Sequence, residues 1–352
     1  LLYLAERPTL LNDLTSLRID PSGQFYYVCV LGADQAIPED DSGPQSRAAA
    51  AEVLGASVSI SNPPVRHSRP GSSKVLFLDF NGHVVSGTAW NDNSDYGSIA
   101  SWDCRPYDTD GNEMTFNASE QADIVEIWER VAEDYAPFDV DVTTEEPASW
   151  TSTTGHALIT PQTDKNGVHC PHYGYGGIAY LDKFGKSNYG IYSPAWVRDY
   201  DGPKAASIIA EAVSHELGHN LNLYHDGTVS REYYGGHTGV TVPSWGPIMG
   251  TGYNRNITQW SKGEYYQYDN ENDPENDLAI LSSTLNYRPD DAGDHNASAS
   301  SLTILGDETV AQNGVIERTD DPDVYHFTTL DGEITITAEP YRSTSGTWGG
   351  NL

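Results

Sequence analysis

Ser214-His215-Glu216-Leu217-Gly218-His219-Asn220-Leu221-Asn222-Leu223-Tyr224-His225-Asp226 decides how the rest of the chain is read. His215 and His219 stand four residues apart, so on a helix they share one face, one turn apart. Glu216 sits beside the first histidine at the same level of that helix. Neutral imidazoles suit zinc, and a catalytic zinc keeps three protein ligands and one open position. The third ligand has to come from outside the helix. His225 follows His219 by six residues. A continuing helix would carry it off the ligand face and too far along the axis. The helix is therefore expected to break at Asn222, because asparagine tolerates the left-handed conformation that ends helices. The full His-Glu-x-x-His-x5-His pattern arises by chance in on the order of one in 2,000 chains of this composition. Histidines that merely line a polar cleft are thus the weaker reading.

Working outward, Lys74–Phe80 is a near-continuous apolar run, the mark of a strand buried on both faces. Asn117-Ala118-Ser119-Glu120 has the form of a capping box. The helix it opens, 117–135, puts Ile124, Ile127, Trp128, Val131 and Tyr135 at helical spacing, and Pro137 ends it. Phe138, Val140 and Val142 alternate with Asp139, Asp141 and Thr143, which predicts a half-buried strand. Strands are also expected at 156–160 and 177–184, and a long helix at 204–222 carries the histidines. This order predicts an α/β layer with a mixed sheet. Before it, Asp20-Pro21-Ser22-Gly23 followed by Gln24–Val30 reads as a small hairpin, and 34–73 as a linker. After it, Arg288–Asp294 is a turn-rich acidic junction. Short alternating runs at 301–304, 315–317, 324–327 and 333–337 then suggest an all-β module, expected to be incomplete at Leu352.

The pattern His215-Glu216-x-x-His219-x-x-Asn222-x-x-His225 resembles the metzincin zinc-endopeptidase signature, with Asn222 where the usual form has Gly. Trp245-Gly246-Pro247-Ile248-Met249-Gly250, reaching Met249 24 residues after His225, resembles that family's methionine-bearing turn beneath the metal. Asp226 directly after the third histidine resembles the adamalysin/reprolysin branch, and the chain is similar to bacterial secreted members of it. The tail, with Asp321-Pro322-Asp323-Val324-Tyr325-His326-Phe327, resembles a pre-peptidase C-terminal (PPC) β-sandwich. The resemblance implies a propeptide-like segment and linker at 1–66. It implies a metzincin-type zincin catalytic domain at 67–287, a twisted mixed sheet with an active-site helix, and a partial β-sandwich at 288–352. It also implies a secreted, extracellular zinc endopeptidase acting on protein or peptide substrates. His215, His219 and His225 would hold Zn²⁺, Glu216 would act as general base on a zinc-activated water, and Met249 would form the apolar floor. Thr251 stands where some metzincins carry a tyrosine, and Tyr253 is given no ligand role. The 177–184 strand, if an edge, would pair with an extended substrate. Cys29 could fill the fourth zinc position if 1–66 ends a propeptide. Its setting between Val28 and Val30 favours plain burial.

Composition bounds these readings. The 352 residues carry 19 Lys+Arg against 51 Asp+Glu, a net charge of −32, and 38% are hydrophobic. That content supports a sizeable core. So few basic residues exclude a basic nucleic-acid face and disfavour an anionic membrane surface, and no apolar run is long enough to span a bilayer. The chain starts at Leu1 without a signal-like segment and is expected to be a processed or truncated product. Cys29, Cys104 and Cys170 make no disulfide scaffold. Cys104 and Cys170 either form one bridge or stay reduced. Ca²⁺ is a candidate structural ion for the acidic stretches 269–277 and 290–294, which otherwise read as solvated loops. His169 and His172, flanking Cys170, read as a surface loop in preference to a second metal site, and His237 as a turn histidine. Two alternatives stand beside the protease reading: a non-catalytic zinc-binding protein on the same fold, and a gluzincin-type peptidase with Glu232 as third ligand. Cleavage specificity and oligomeric state are not legible.

Overall fold

Asp20 turns the N-terminal hairpin: its Oδ1 accepts from the Ser22 and Gln24 amides at 2.9 and 2.8 Å, and Gly23 takes the positive φ of 86°. The two strands so joined are β1 (Leu17–Ile19) and β2 (Phe25–Cys29), paired antiparallel with Leu17 opposite Tyr27. The structure, a computed structural model, describes residues 13–30, 58–59, 63–200, 205–228, 231–239, 244–263, 265, 276–305, 309–329, 331 and 333–339. Most of the expected linker therefore lies outside the described residues.

Along the chain follow β3 (Val58–Ser59), β4 (Val75–Asp79), β5 (Val84–Ser86), α1 (Ala89–Asp92), β6 (Ser101–Asp103) and β7 (Thr115–Phe116). Then come α2 (Ala118–Asp134), β8 (Asp141–Thr143), β9 (Thr154–Thr160), β10 (Gly177–Tyr180), β11 (Ala195–Arg198) and α3 (Ala205–Asn220). Seven strands form one sheet in the order β1-β2-β10-β11-β9-β4-β8. The β11, β9, β4 and β8 strands are parallel, and β10 runs antiparallel to both of its neighbours. The chain is thus mixed α/β, as its element order predicts. Alternation along β4 and β9 sends Leu76, Leu78, Ala157 and Ile159 towards α2 and α3, where they join Ile124, Ile127, Val213 and Leu217 in the main core. Leu158 faces the other way, into a second cluster with Trp90, Trp102, Tyr180 and Trp196. The Asn117 capping box forms as read, Asn117 Oδ1 accepting from Glu120 N and Glu120 Oε2 from Asn117 N.

Several expectations change. β8 is buried throughout and not half-buried: His67 Nδ1 lies 2.7 Å from Asp141 Oδ2, and Arg69 N donates to Asp141 Oδ1, so 67–69 cover its outer face. β10 is shorter than 177–184 and is no edge, because β2 pairs along its whole length, Cys29 opposite Gly177 and Tyr26 opposite Tyr180. β11, which no sequence expectation covers, adds a parallel strand beside β9. Downstream lie β12 (Trp245–Pro247), β13 (Ile257–Gln259), α4 (Asp277–Leu285), β14 (Ser300–Ser301), β15 (Thr303–Ile304), β16 (Val310–Ala311) and β17 (Tyr325–His326). The last four pair only as β14 with β17 and β15 with β16. No strand forms at 315–317 or within the described part of 333–337, and Ile304 and Ile336 stay exposed. Among the described residues this tail is two short ladders, not two packed sheets. No described helix is long and apolar enough to cross a membrane.

Candidate metal centre

Packing against α2 holds α3 in place, with Ser214 Oγ donating to Asp134 Oδ2 at 2.6 Å. The helix ends as the sequence predicts. Leu223 N donates to Gly218 O and Asn222 N to His219 O, both at 3.0 Å, while Asn222 takes φ 79°. That reversal returns His225 to the face bearing His215 and His219. The three ring centroids form a near-equilateral triangle of 4.8, 5.1 and 4.9 Å.

Each imidazole is oriented from behind. His215 Nδ1 donates to Ile248 O at 2.9 Å, and His219 Nδ1 to Leu223 O at 2.8 Å. Behind His225, Nδ1 meets Ser16 Oγ at 3.4 Å and Glu232 Oε1 at 3.3 Å. This fixes the Nε2 atoms as the inward-facing donors, the arrangement that orients metal-binding imidazoles. Glu232 therefore backs the third histidine and does not replace it. Burial pushes His215 down to about 4; burial and the neighbouring imidazoles push His219 well below its ordinary value. His225 falls likewise through burial and His215. All three are neutral near pH 7, with a lone pair on the inward nitrogen.

The Met249 turn supports this set through backbone and close packing. Ile248 O holds His215, and Asp226 N donates to Met249 O at 2.9 Å. Met249 is fully buried, and a Cβ at Gly218 would lie 2.6 Å from its Sδ, so only glycine lets the turn approach α3. Glu216 is 1% exposed, and its Oε2 has no hydrogen-bond partner. Its side chain lies against β10, where a Cβ at Gly177 would clash with Oε1 at 2.3 Å. Burial pushes the Glu216 carboxyl well above its ordinary range.

Cys29 is buried as its strand setting predicts, 3% exposed, and its Sγ also lies 3.4 Å from His219 Nε2 and 3.5 Å from His225 Nε2. Strand alternation explains this: Tyr26 and Val28 enter the second cluster, so Tyr27 and Cys29 face the histidines. Tyr27 stacks on His219 with centroids 4.2 Å apart and planes at 8°, and its hydroxyl donates to Asp13 Oδ2 at 2.6 Å. The Thr15 and Ser16 hydroxyls donate to the Glu232 carboxylate. Cys29, His215, His219 and His225 thus form one buried group whose donor atoms all lie within 4.8 Å of each other. The residues fit a metal ion: His215 Nε2 is a buried nitrogen with no other partner.

Tyr27 and Tyr233 were missed. Tyr233 lies 4.2 Å from His225 and carries a buried, unpaired hydroxyl. No local spacing marks either residue. Of the other residues weighed, His169 stacks on Tyr173, and His172 Nε2 donates to Thr160 O at 3.1 Å. Neither joins a metal-donor group among the described residues. His237 pairs with Trp245 through the backbone. The Cys104 and Cys170 thiols are free and touch each other in the second cluster. The 269–277 stretch is mostly outside the described residues. In the 290–294 stretch, Asp290 gathers with Asp321 and Asp323. Searched against protein-family models and curated proteins, the chain matches none.

Proposed function

We propose that this chain is the latent form of a secreted zinc endopeptidase of the metzincin type, with Cys29 closing its metal site. The observation that carries the reading is the convergence of three imidazole nitrogens and one cysteine sulfur, with Glu216, whose Oε2 is buried without a hydrogen-bond partner, on the first histidine's flank. Zinc suits this donor set. Bonds of about 2.3 Å to sulfur and about 2.05 Å to nitrogen at a tetrahedral angle span about 3.5 Å. The sulfur-to-nitrogen distances are 3.4 and 3.5 Å.

When bound, zinc supplies Lewis acidity that acidifies water and polarises a peptide carbonyl. His215, His219 and His225 would hold it through Nε2, the nitrogens their backing contacts leave facing inward. Glu216, buried and unpaired at Oε2, takes the proton of the attacking water and returns it to the leaving amine. Gly177 leaves the space that Glu216 occupies. The β10 strand, once freed of β2, offers its backbone to an extended protein or peptide substrate. In the chain as it stands, β2 fills that edge and Cys29 fills the place of water. Residues 67–287 would be the catalytic part.

The test is hydrolysis of casein before and after cleavage of the chain between residues 30 and 63. Activity should appear on cleavage and vanish with a strong chelator. Equal activity in intact and cleaved protein would reject latency; no chelator-sensitive activity in either would reject the peptidase.

A further inference from the structure

A second group of donors lies on the opposite face of the sheet. Asp79 ends β4, and His156 on β9 pairs with Phe77, so both side chains leave the sheet on the face away from α3. The turn at Asn81-Gly82 brings His83 back to the same point. Gly82 has φ 79°, and a Cβ there would lie 2.6 Å from Cys104 O. His156 Nε2 is 2.9 Å from Asp79 Oδ2, and His83 Nδ1 is 3.4 Å from that same oxygen. All three donor atoms lie within 4.8 Å of one another. Asp79 and His156 are buried, while the His83 side chain is 35% exposed and opens the group to solvent. Trp150, itself half-exposed, lies over it with centroids 4.9 Å from His156 and 6.3 Å from His83.

We propose that Asp79, His83 and His156 bind a second divalent transition-metal ion, separate from the three-histidine centre. Two imidazoles and one carboxylate are a donor set suited to zinc, iron(II), cobalt or nickel. With bonds of about 2.1 Å, donors sit about 3.0 Å apart at right angles and about 3.4 Å apart at tetrahedral angles. The two measured separations match that range. As a plain hydrogen-bonded group, the triad would hold His83 only by a long contact at 3.4 Å. Oδ1 of Asp79 is taken by Asn81 N at 3.0 Å, which leaves Oδ2 aimed at both rings. The negative charge of Glu146 acts on both imidazoles and adds to the pull on a cation. Such an ion would tie the turn after β4 to β9, far from the peptide-binding edge.

The full chain, stripped of metal and titrated with Co²⁺, tests this by elemental analysis and tryptophan emission. The wild type should bind two ions. His83→Gln and Asp79→Asn should each bind one, and so should His215→Ala/His219→Ala. His83 is partly exposed, so its substitution leaves the fold intact. Filling of this second site should quench Trp150. The quench should survive in His215→Ala/His219→Ala and vanish in His83→Gln and in Trp150→Phe. An ion count that His83→Gln and Asp79→Asn both leave unchanged would overturn the site. Loss of ion binding at the three histidines alone would count against the peptidase and leave this proposal standing.

Discussion

The three histidines are held from two sides, and the two sides work differently. The wall formed by α3 and the Met249 turn grips them through backbone carbonyls: Ile248 O on His215 and Leu223 O on His219. The cover formed by β1 and β2 touches them through side chains: Cys29 sulfur, the Tyr27 ring and the Ser16 hydroxyl. Backbone contacts within a helix end and a tight turn last as long as the fold does. A strand laid on a sheet edge, with one sulfur at the metal position, can be exchanged for a peptide and a water. In the proposed latent form, the wall builds the metal centre and the cover closes it.

The largest effect should come from Glu216, the proposed catalytic carboxylate on the wall. In protein cleaved between residues 30 and 63, Glu216→Gln should keep metal and lose about 10²–10⁴-fold in peptide hydrolysis, the usual share of general acid–base catalysis. Stopped assays on a quenched-fluorescence peptide with metal analysis check both halves. On the cover, Cys29→Ser should raise activity of the intact chain but leave it below that of the cleaved chain, because β2 still occupies β10. An intact Cys29→Ser protein as silent as wild type would place latency in the strand alone.

Two substitutions probe the wall itself. Gly218→Ala forces a methyl against Met249 Sδ and should cost about 1–3 kcal/mol as overpacking, seen as a lower Tm. Asn222→Gly should be neutral or stabilising by up to about 1 kcal/mol, since φ there is 79° and glycine adopts it freely. The smallest effect is one of pH on the cover. Burial pushes the Asp13 carboxyl up to about 7, with Glu232 and Asp226 adding to the rise and the Tyr27 hydroxyl opposing it. The docked hairpin thus favours protonated Asp13, while a released one ionises near pH 4. The contribution to docking is complete below about pH 4 and is lost as pH rises through about 7. Protection of the 25–29 amides, corrected for the intrinsic rise of exchange with pH, should fall across that window in wild type and not in Asp13→Asn.

The wall was legible in the sequence and the docking of the cover was not, for a physical reason. His215, His219 and Asn222 follow local rules, helix period and a left-handed stop, while Met249 stood out through the resemblance of its glycine- and proline-bearing turn. The Asn117 helix and the β1–β2 hairpin were legible in the same way. Cys29 meets His219 only because β2 adds to β10, a pairing between distant parts of the chain that no local pattern encodes. The same long-range pairing turned the expected substrate edge into an inner strand. Asp79 and His156 come together through neighbouring β4 and β9, again beyond local reading. The full burial of β8 escaped because its cover, His67 and Arg69, belongs to a stretch that reads as linker.

Whether the cover closes the metal site is answered most directly by X-ray absorption at the zinc edge of the zinc-loaded intact chain. One sulfur at about 2.3 Å with three nitrogens at about 2.05 Å is the expected shell, the sulfur being replaced by oxygen after cleavage between residues 30 and 63. A shell without sulfur in the intact chain would contradict the latent centre.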